Sequence, residues 1–328
     1  MVAQMQDIGQ ARGPAPTDYM NKNSRILIVG HADAVENSLT QYFKSNKYAN
    51  VFSSSSVKVD FLNQKSVEKF FETKKPEYVF LGSLRSGGIA ANQKYAAQFI
   101  YENLQCQNNI IHTAYTFKVK KLLYYGASCV YPKEARQPIK EESFLTGTLE
   151  ETSEPYSVAK IAGAKLCETY NRQYGFKALI AVPATVYGPG SDTDVATAHV
   201  MGALIAKFYQ ALKIGQKEVV VWGTGKPRRE FIFTDDFVAG SLFLMKHYDK
   251  PEMMNLGFGH DVSIGELARL IAKISGYKGK IVFDPSKPDG AMRKLLDNRR
   301  MARLGWKPTT SLEEGVTKTY AWYVKQGA

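Results

Sequence analysis

Residues 126–160 read GASCVYPKEARQPIKEESFLTGTLEETSEPYSVAK, and this stretch decides how the rest of the chain is read. It grows out of an apolar run, KLLYYGAS (121–128), that leads into Cys129. Near its far end stand Tyr156 and Lys160. At a spacing of i, i+4 the two lie one turn apart on the same face of a helix. An ammonium beside a phenol favours the phenolate by charge and hydrogen bonding. A tyrosine so tuned can pass a proton to or from a carbonyl or alcohol oxygen, as in sugar or steroid dehydrogenases. Tyr-x-x-x-Lys alone also recurs by chance on solvated helix surfaces, so its weight depends on what surrounds it.

The surrounding chain has 328 residues, enough for one large domain or two interlocked ones with a sizeable core. Hydrophobic residues make up 44% and charged residues 23%, a globular balance. No run of 18 apolar residues is present and no secretory pattern opens the chain, so neither a membrane span nor export is expected. Cys106, Cys129 and Cys167 lack C-x-x-C or metal spacing, which implies reduced thiols, no metal and a cytoplasmic protein. The formal charge of +12 admits two partners, nucleic acid or an anionic small molecule. The Lys and Arg are scattered, without a block of interleaved aromatics or a nucleic-acid motif, which favours the small anion, such as a nucleotide diphosphate, over nucleic acid.

Taken in order, residues 1–23 carry no periodicity and read as a disordered tail. RILIVG (25–30) is a buried strand, and 31–45 a helix. Strands follow at 50–56, 77–83, 121–128 and 177–188, separated by helices at 64–74, about 89–117, and from the Tyr156/Lys160 segment to about 174. Strands alternating with helices imply an α/β fold, a doubly wound parallel sheet of Rossmann type. Its crossovers should be right-handed and its ligands should lie beyond the carboxyl ends of the strands, where Cys129 falls. After 188 the pattern loosens into a loop at 189–198, a helix at 199–214, a strand and turn at 219–225 and the basic stretch KPRREFIF (226–233). A helix opens at Thr234, a late strand lies at 254–259, and helices are expected at 261–276 and 311–326 around a strand and turn at 281–290. Residues 24–188 with 234–259 therefore read as the dinucleotide-binding domain, and 189–233 with 260–328 as a smaller substrate-binding cap.

In such a fold the first strand–helix turn is glycine-rich, so that backbone can approach a pyrophosphate at the helix N-terminus. Here the turn is Gly30-His31-Ala32-Asp33-Ala34-Val35-Glu36. One glycine remains, and Asp33 and Glu36 occupy the spacing of the other two. Carboxylates there are expected to repel a pyrophosphate and obstruct its approach.

The strings GASCVYPKEARQPIKEE, TSEPYSVAKIAGAKLCETYNRQYG, VWGTGKPRREF and KPDGAMRKLLD, in this order and spacing, resemble the GDP-L-fucose synthase family of extended short-chain dehydrogenase/reductases. The resemblance runs from about residue 24 to the C-terminus. It implies an NADP(H)-dependent homodimer that epimerises a GDP-4-keto-6-deoxy sugar at C3 and C5 and then reduces C4. A C4 ketone acidifies the hydrogens at C3 and C5, so one acid and one base near opposite faces can invert both centres. By resemblance Cys129 and His199 (in ATAHVMGAL) are that pair, Tyr156 is the proton donor to the C4 oxygen, and Lys160 is its partner at the nicotinamide ribose. Read alone, Cys129 is as well a buried core thiol and His199 an idle helix-start residue. Gly30, His31, Asp60, Lys160 and Pro183 fall at cofactor positions. Ser128, Lys207, Trp222 and Arg229 fall at substrate positions. Lys207 stands where the family often has an Arg, which keeps the charge and loses the bidentate fork. Of Arg228 and Arg229, one is expected to be solvated and Arg229 to face inward. Cys106 and Cys167 read as helix-packing residues.

Three positions depart from the family. Two glycines of the first turn are replaced by Asp33 and Glu36. Ala127 stands where a serine helps the tyrosine polarise the C4 carbonyl, and the loss of one such donor costs about 10²–10³ in rate. On a regular strand Ala127 and Cys129 share a face and Ser128 points away. Finally, Ser53–Ser56 stand where a basic residue would meet the 2′-phosphate of NADP, which leaves NAD open as the cofactor. All three touch cofactor binding and reduction. They keep two alternatives in play: a GDP-sugar epimerase or reductase of different substrate with weakened cofactor use, and a GDP-sugar-binding protein without turnover.

Overall fold

The computed structural model describes residues 19–327. Twelve strands appear in chain order among these residues: β1 Arg25–Val29, β2 Asn50–Ser53, β3 Tyr78–Leu81, β4 Lys121–Tyr125, β5 Ala178–Pro183, β6 Thr185–Tyr187, β7 Glu218–Trp222, β8 Arg228–Phe233, β9 Met254–Leu256, β10 Asp261–Ser263, β11 Lys280–Asp284 and β12 Arg293–Lys294. The helices are α1 Ala34–Ser45, α2 Gln64–Lys74, α3 Ile89–Lys94, α4 Ala96–Thr116, α5 Glu154–Tyr174, α6 Val200–Lys213, α7 Thr234–His247, α8 Ile264–Ser275, α9 Arg299–Leu304 and α10 Leu312–Lys325.

The central sheet is parallel throughout, in the order β2-β1-β3-β4-β5-β9. Its inner strands are continuous apolar runs such as RILIV and ALIAVP, as expected where helices cover both faces. From β1 the chain winds first outward to β2, then back across to β3. That reversal opens a crevice beyond the carboxyl ends of β1 and β3. Helix α5 starts with Pro155 in its first turn and ends at Gly175, whose φ of 66° suits glycine. It packs along α4, and Tyr115, Tyr170 and Tyr174 cluster at their far ends.

The second half builds a smaller layer. Strand β8 pairs with β6, β10 and β12, while β7 and β11 form a separate ribbon. A second apolar cluster, including Leu204, Phe208, Val221, Phe231, Leu267 and Ile271, fills the space between these strands and α6, α8 and α10. The first cluster runs under the central sheet and takes in Leu296, Met301 and Trp306 from the C-terminal segment.

Several expected elements are revised. Residues 1–18 lie outside the described residues, but Tyr19 packs against the core and Met20 is buried in it, so the tail does not extend to residue 23. The long helix at 89–117 is two helices that meet at Tyr95. The 121–128 strand stops at Tyr125, and Ser128–Val130 form a single 3₁₀ turn. KPRREFIF contains strand β8, whose charged start hides its buried end. Asp261–Ser263 is a strand, and α8 begins only at Ile264, where Ser263 and Glu266 form a reciprocal cap.

Candidate active site

The carboxyl ends of β1, β3, β4 and β5 deliver the side chains of the crevice. Tyr156 and Lys160 lie one turn apart on α5, as their spacing requires. The phenolic oxygen of Tyr156 is 2.7 Å from Ser83 Oγ, just past the end of β3. Phe99 from α4 meets the Tyr156 ring edge to face at 6.0 Å. Lys160 is 1% exposed. Its Nζ donates to the Gly82 carbonyl at 3.3 Å and lies 4.3 Å above the Tyr124 ring.

Burial pushes the Lys160 ammonium down to about 7, with the Cys129, Cys106 and Cys167 thiols and Asp33 pulling the other way. Burial pushes the Tyr156 phenol well above its ordinary value; Cys129 and Asp33 add to this, and the Ser83 bond opposes it. In the free protein the Tyr156 phenol is thus pushed up rather than down. The lysine is engaged by Gly82 and only partly charged near neutrality, so Tyr156 is held as a phenol, the form that gives a proton.

Cys129 is buried in the 3₁₀ turn after β4. Because the chain leaves the strand at Tyr125 and turns at Ser128–Val130, strand alternation does not govern Ala127, Ser128 and Cys129, and Ser128 is not forced to the opposite face. His199 is the N-cap residue of α6 and is exposed. Desolvation nevertheless lowers its pKa, with His31 adding to the shift and Asp33 and Asp192 opposing it, so the ring is neutral at pH 7 and able to accept a proton. The loop before it is tied to the segment ahead of α3 by the Gly88 N–H, which donates to Thr197 O at 2.8 Å.

On the cap side, β8 and β12 run together, pairing Arg228 with Arg293 and Arg229 with Lys294. Arg229 faces inward, donating to the Arg228 and Asp289 carbonyls at 2.9 and 3.4 Å. Arg228 is not merely solvated: it is paired with Asp261 at 3.0 Å and Glu266 at 3.2 Å. Lys294, which spacing does not single out, shares its surroundings with Cys129, Arg229 and Glu150, and burial lowers its pKa. The Lys207 ammonium donates to Val220 O at 2.9 Å and lies 5.0 Å over Trp222. Trp222 is 44% exposed, with Lys287 Nζ at 5.7 Å from its ring, and so offers a flat, cation-flanked platform.

The β1–α1 turn tells a different story. Asp33 is the N-cap of α1, and its Oδ1 accepts from Val35 N at 3.0 Å and Glu36 N at 3.3 Å. Its Oδ2 accepts from Ser86 Oγ at 3.0 Å. Glu36 is buried beneath the turn, where Oε2 accepts from Ala32 N and Oε1 from Ser55 N, both at 2.8 Å. Gly30 must lack a side chain here, because a Cβ would sit 2.7 Å from Glu36 Cβ. Ser53–Ser56 bond to one another, to Gly30 and to Glu36. Asp60 is exposed on the following loop and accepts from Leu62 N at 3.0 Å. Pro183 closes β5.

A dinucleotide would find donors at the nicotinamide end of the crevice in buried Lys160 and half-exposed Tyr156. At the pyrophosphate end the helix N–H groups are already held by Asp33. A pyrophosphate drawing on the same N–H groups would compete with the half-exposed Asp33 carboxylate, while Glu36 is buried beneath the turn.

The chain matches a model of the NAD dependent epimerase/dehydratase family over residues 26–257. It is 42% identical to GDP-L-fucose synthase 1 of Arabidopsis thaliana over 313 residues, 95% of this chain and 97% of that one. A GDP-6-OMe-4-keto-L-xylo-heptose reductase from C. jejuni superposes with a TM-score of 0.88 at 35% identity, covering 94% of this chain and 100% of its own. A GDP-mannoheptose C4 reductase from Campylobacter jejuni with NADP bound gives 0.85 at 37% identity, over 93% and 99%.

Proposed function

The chain belongs to the NAD dependent epimerase/dehydratase family, and on that premise we propose that it is a nucleotide-sugar 3,5-epimerase and NADP(H)-dependent 4-reductase acting on a GDP-4-keto-6-deoxy sugar. The observation that carries this reading is the convergence, at the carboxyl end of the central sheet, of the Tyr156–Lys160 pair, the Cys129 thiol and the Arg229–Lys294 cations.

Each group has a task that its surroundings suit. Trp222 offers its face to the guanine, and Arg229 with Lys294 meets the diphosphate. Cys129 and His199 exchange the protons at C3 and C5, the neutral imidazole accepting and the thiol giving back. Lys160 and Tyr156 hold the nicotinamide end of NADP(H), with Gly30, His31, Asp60 and Pro183 along the rest of the trough. When bound, the cofactor supplies the hydride for C4. Tyr156, kept as a phenol by burial, hands its proton to the C4 oxygen. Ser128 stands beside Cys129 in the same turn, and its hydroxyl is assigned to the sugar.

The test is one incubation with GDP-4-keto-6-deoxy-D-mannose and NADPH in deuterated water. Deuterium at C3 and C5 together with NADPH oxidation is expected, and the absence of both would overturn the reading. The homodimer is part of the proposal, through the exposed sides of α4 and α5, where Tyr101 is 62% and Tyr174 48% exposed. A sedimentation mass of twice the chain is expected. No helix of the described residues is long and apolar enough to cross a membrane, and the three free thiols fit a cytoplasmic setting.

A further inference from the structure

We propose that Ser83 is the positioning residue for the Tyr156 proton donor, standing in for the hydroxyl that Ala127 lacks. The hydrogen-bond partner of the Tyr156 phenolic oxygen is Ser83 Oγ, at 2.7 Å. Lys160 does not fill this role, because its Nζ is directed to the Gly82 carbonyl at 3.3 Å. Two consecutive residues at the end of β3 therefore fix both members of the pair, Gly82 through its carbonyl and Ser83 through its side chain. The dipeptide is itself anchored to the neighbouring strand by the Gly82 N–H, which donates to Val29 O at 2.7 Å. A Cβ on Gly82 would lie 3.0 Å from that same carbonyl, so glycine lets the chain leaving β3 pass close to β1, with Ser83 next in line.

The chemistry asks for this bond. A serine hydroxyl has one proton to donate. When Ser83 donates it to the Tyr156 oxygen, the phenol's own proton is free to point into the crevice, toward a carbonyl oxygen. As that proton leaves for the C4 oxygen and a hydride from NADPH reaches C4, the ketone becomes an alcohol and the cofactor is oxidised. The phenolate left behind keeps the Ser83 hydrogen bond, which is stronger to a charged acceptor. The Ser83 bond already acts in this direction, opposing the upward push of burial on the Tyr156 pKa.

The inference rests on the reading of Tyr156 as proton donor to C4, and the experiment separates the two. Ser83→Ala and Ser83→Thr are compared with the unaltered chain for NADPH oxidation, NADPH affinity and deuterium uptake at C3 and C5. Tyrosine ring-carbon NMR is recorded on the free protein, with the Tyr156 signal assigned from Tyr156→Phe. Ser83→Ala is expected to lower kcat for C4 reduction by about 10²-fold, the size of a misplaced reacting group. NADPH affinity and C3/C5 exchange stay within about twofold. The Tyr156 signal shifts in Ser83→Ala, and Ser83→Thr restores both the rate and the signal. An unmoved signal, an unchanged kcat, or a parallel loss of exchange, affinity and rate would overturn the role of Ser83. An unaltered chain that oxidises no NADPH would overturn the donor reading itself, and with it the catalytic use of the bond, whatever the signal shows.

Discussion

The two halves of the crevice meet anions in opposite ways. On the cap side, Arg229 and Lys294 run side by side on paired strands, and Lys207 and Lys287 flank Trp222. On the β1–α1 side, the N–H groups of a helix start, which favour a bound anion, are held by the chain's own Asp33 carboxylate, with Glu36 bracing the turn beneath. One half presents its positive groups to a ligand. The other satisfies its donors internally. Local order and ligand affinity are therefore in competition at this turn. The same hydrogen bonds that cap α1 are the ones a pyrophosphate would use.

The contrast can be broken first on the substrate side. Cys129→Ser should lower deuterium exchange at C3 and C5 by about 10²–10⁴-fold, the usual weight of a general acid–base group. It should leave NADPH affinity unchanged, as a titration against the unaltered chain would show. Arg229→Met should raise KM for the GDP-sugar by about 10- to 100-fold, through the loss of charge-assisted bonds, with a smaller change in kcat. If both kinetic constants were untouched, Arg229 would not face the diphosphate.

A third effect sharpens the contrast through pH. Lys160 falls from 10.5 to about 7 on burial, so the folded state disfavours its charged form. The unfolded chain binds the proton at higher pH than the folded one. The resulting penalty on stability is absent above 10.5, grows as pH falls, and is fully developed below about 7. Relative to Lys160→Met, the native chain should gain melting temperature between pH 7 and pH 9. At pH 8, NADPH binding should take up a fraction of a proton as the cofactor's charge draws Lys160 back to the ammonium. Calorimetry in buffers of different ionisation enthalpy reads this uptake, and Lys160→Met should abolish it.

How far the sequence carries this picture varies from residue to residue. The parallel sheet follows from continuous apolar runs such as RILIV, and the Tyr156–Lys160 face from simple helical spacing. Asp33 and Glu36 stand out because glycines were expected in that turn. Strand β8 was hidden because its first residues are charged and only its end is buried. Ser83 carries no local signal at all: its bond to Tyr156 spans 73 residues and arises from the adjacency of β3 and β4. Lys294 lies in a string that can be quoted from the sequence, yet its proximity to Cys129 depends on β12 pairing with β8. The end of β4 shows the reverse failure. Period-two alternation assigns faces to Ala127, Ser128 and Cys129, but the chain leaves the strand at Tyr125 and that rule stops applying.

The most direct measurement is the calorimetric affinity of NADPH for the native chain and for Asp33→Gly, with GDP present in both. Glycine costs an N-cap only a few tenths of a kcal/mol relative to aspartate, so α1 should survive the change. If Asp33 competes with the pyrophosphate for the helix N–H groups, removing it should tighten NADPH binding by about tenfold or more, since opposed like charges cost at least that. Equal or weaker binding by Asp33→Gly would contradict the account, because it would mean that the carboxylate does not stand in the cofactor's way.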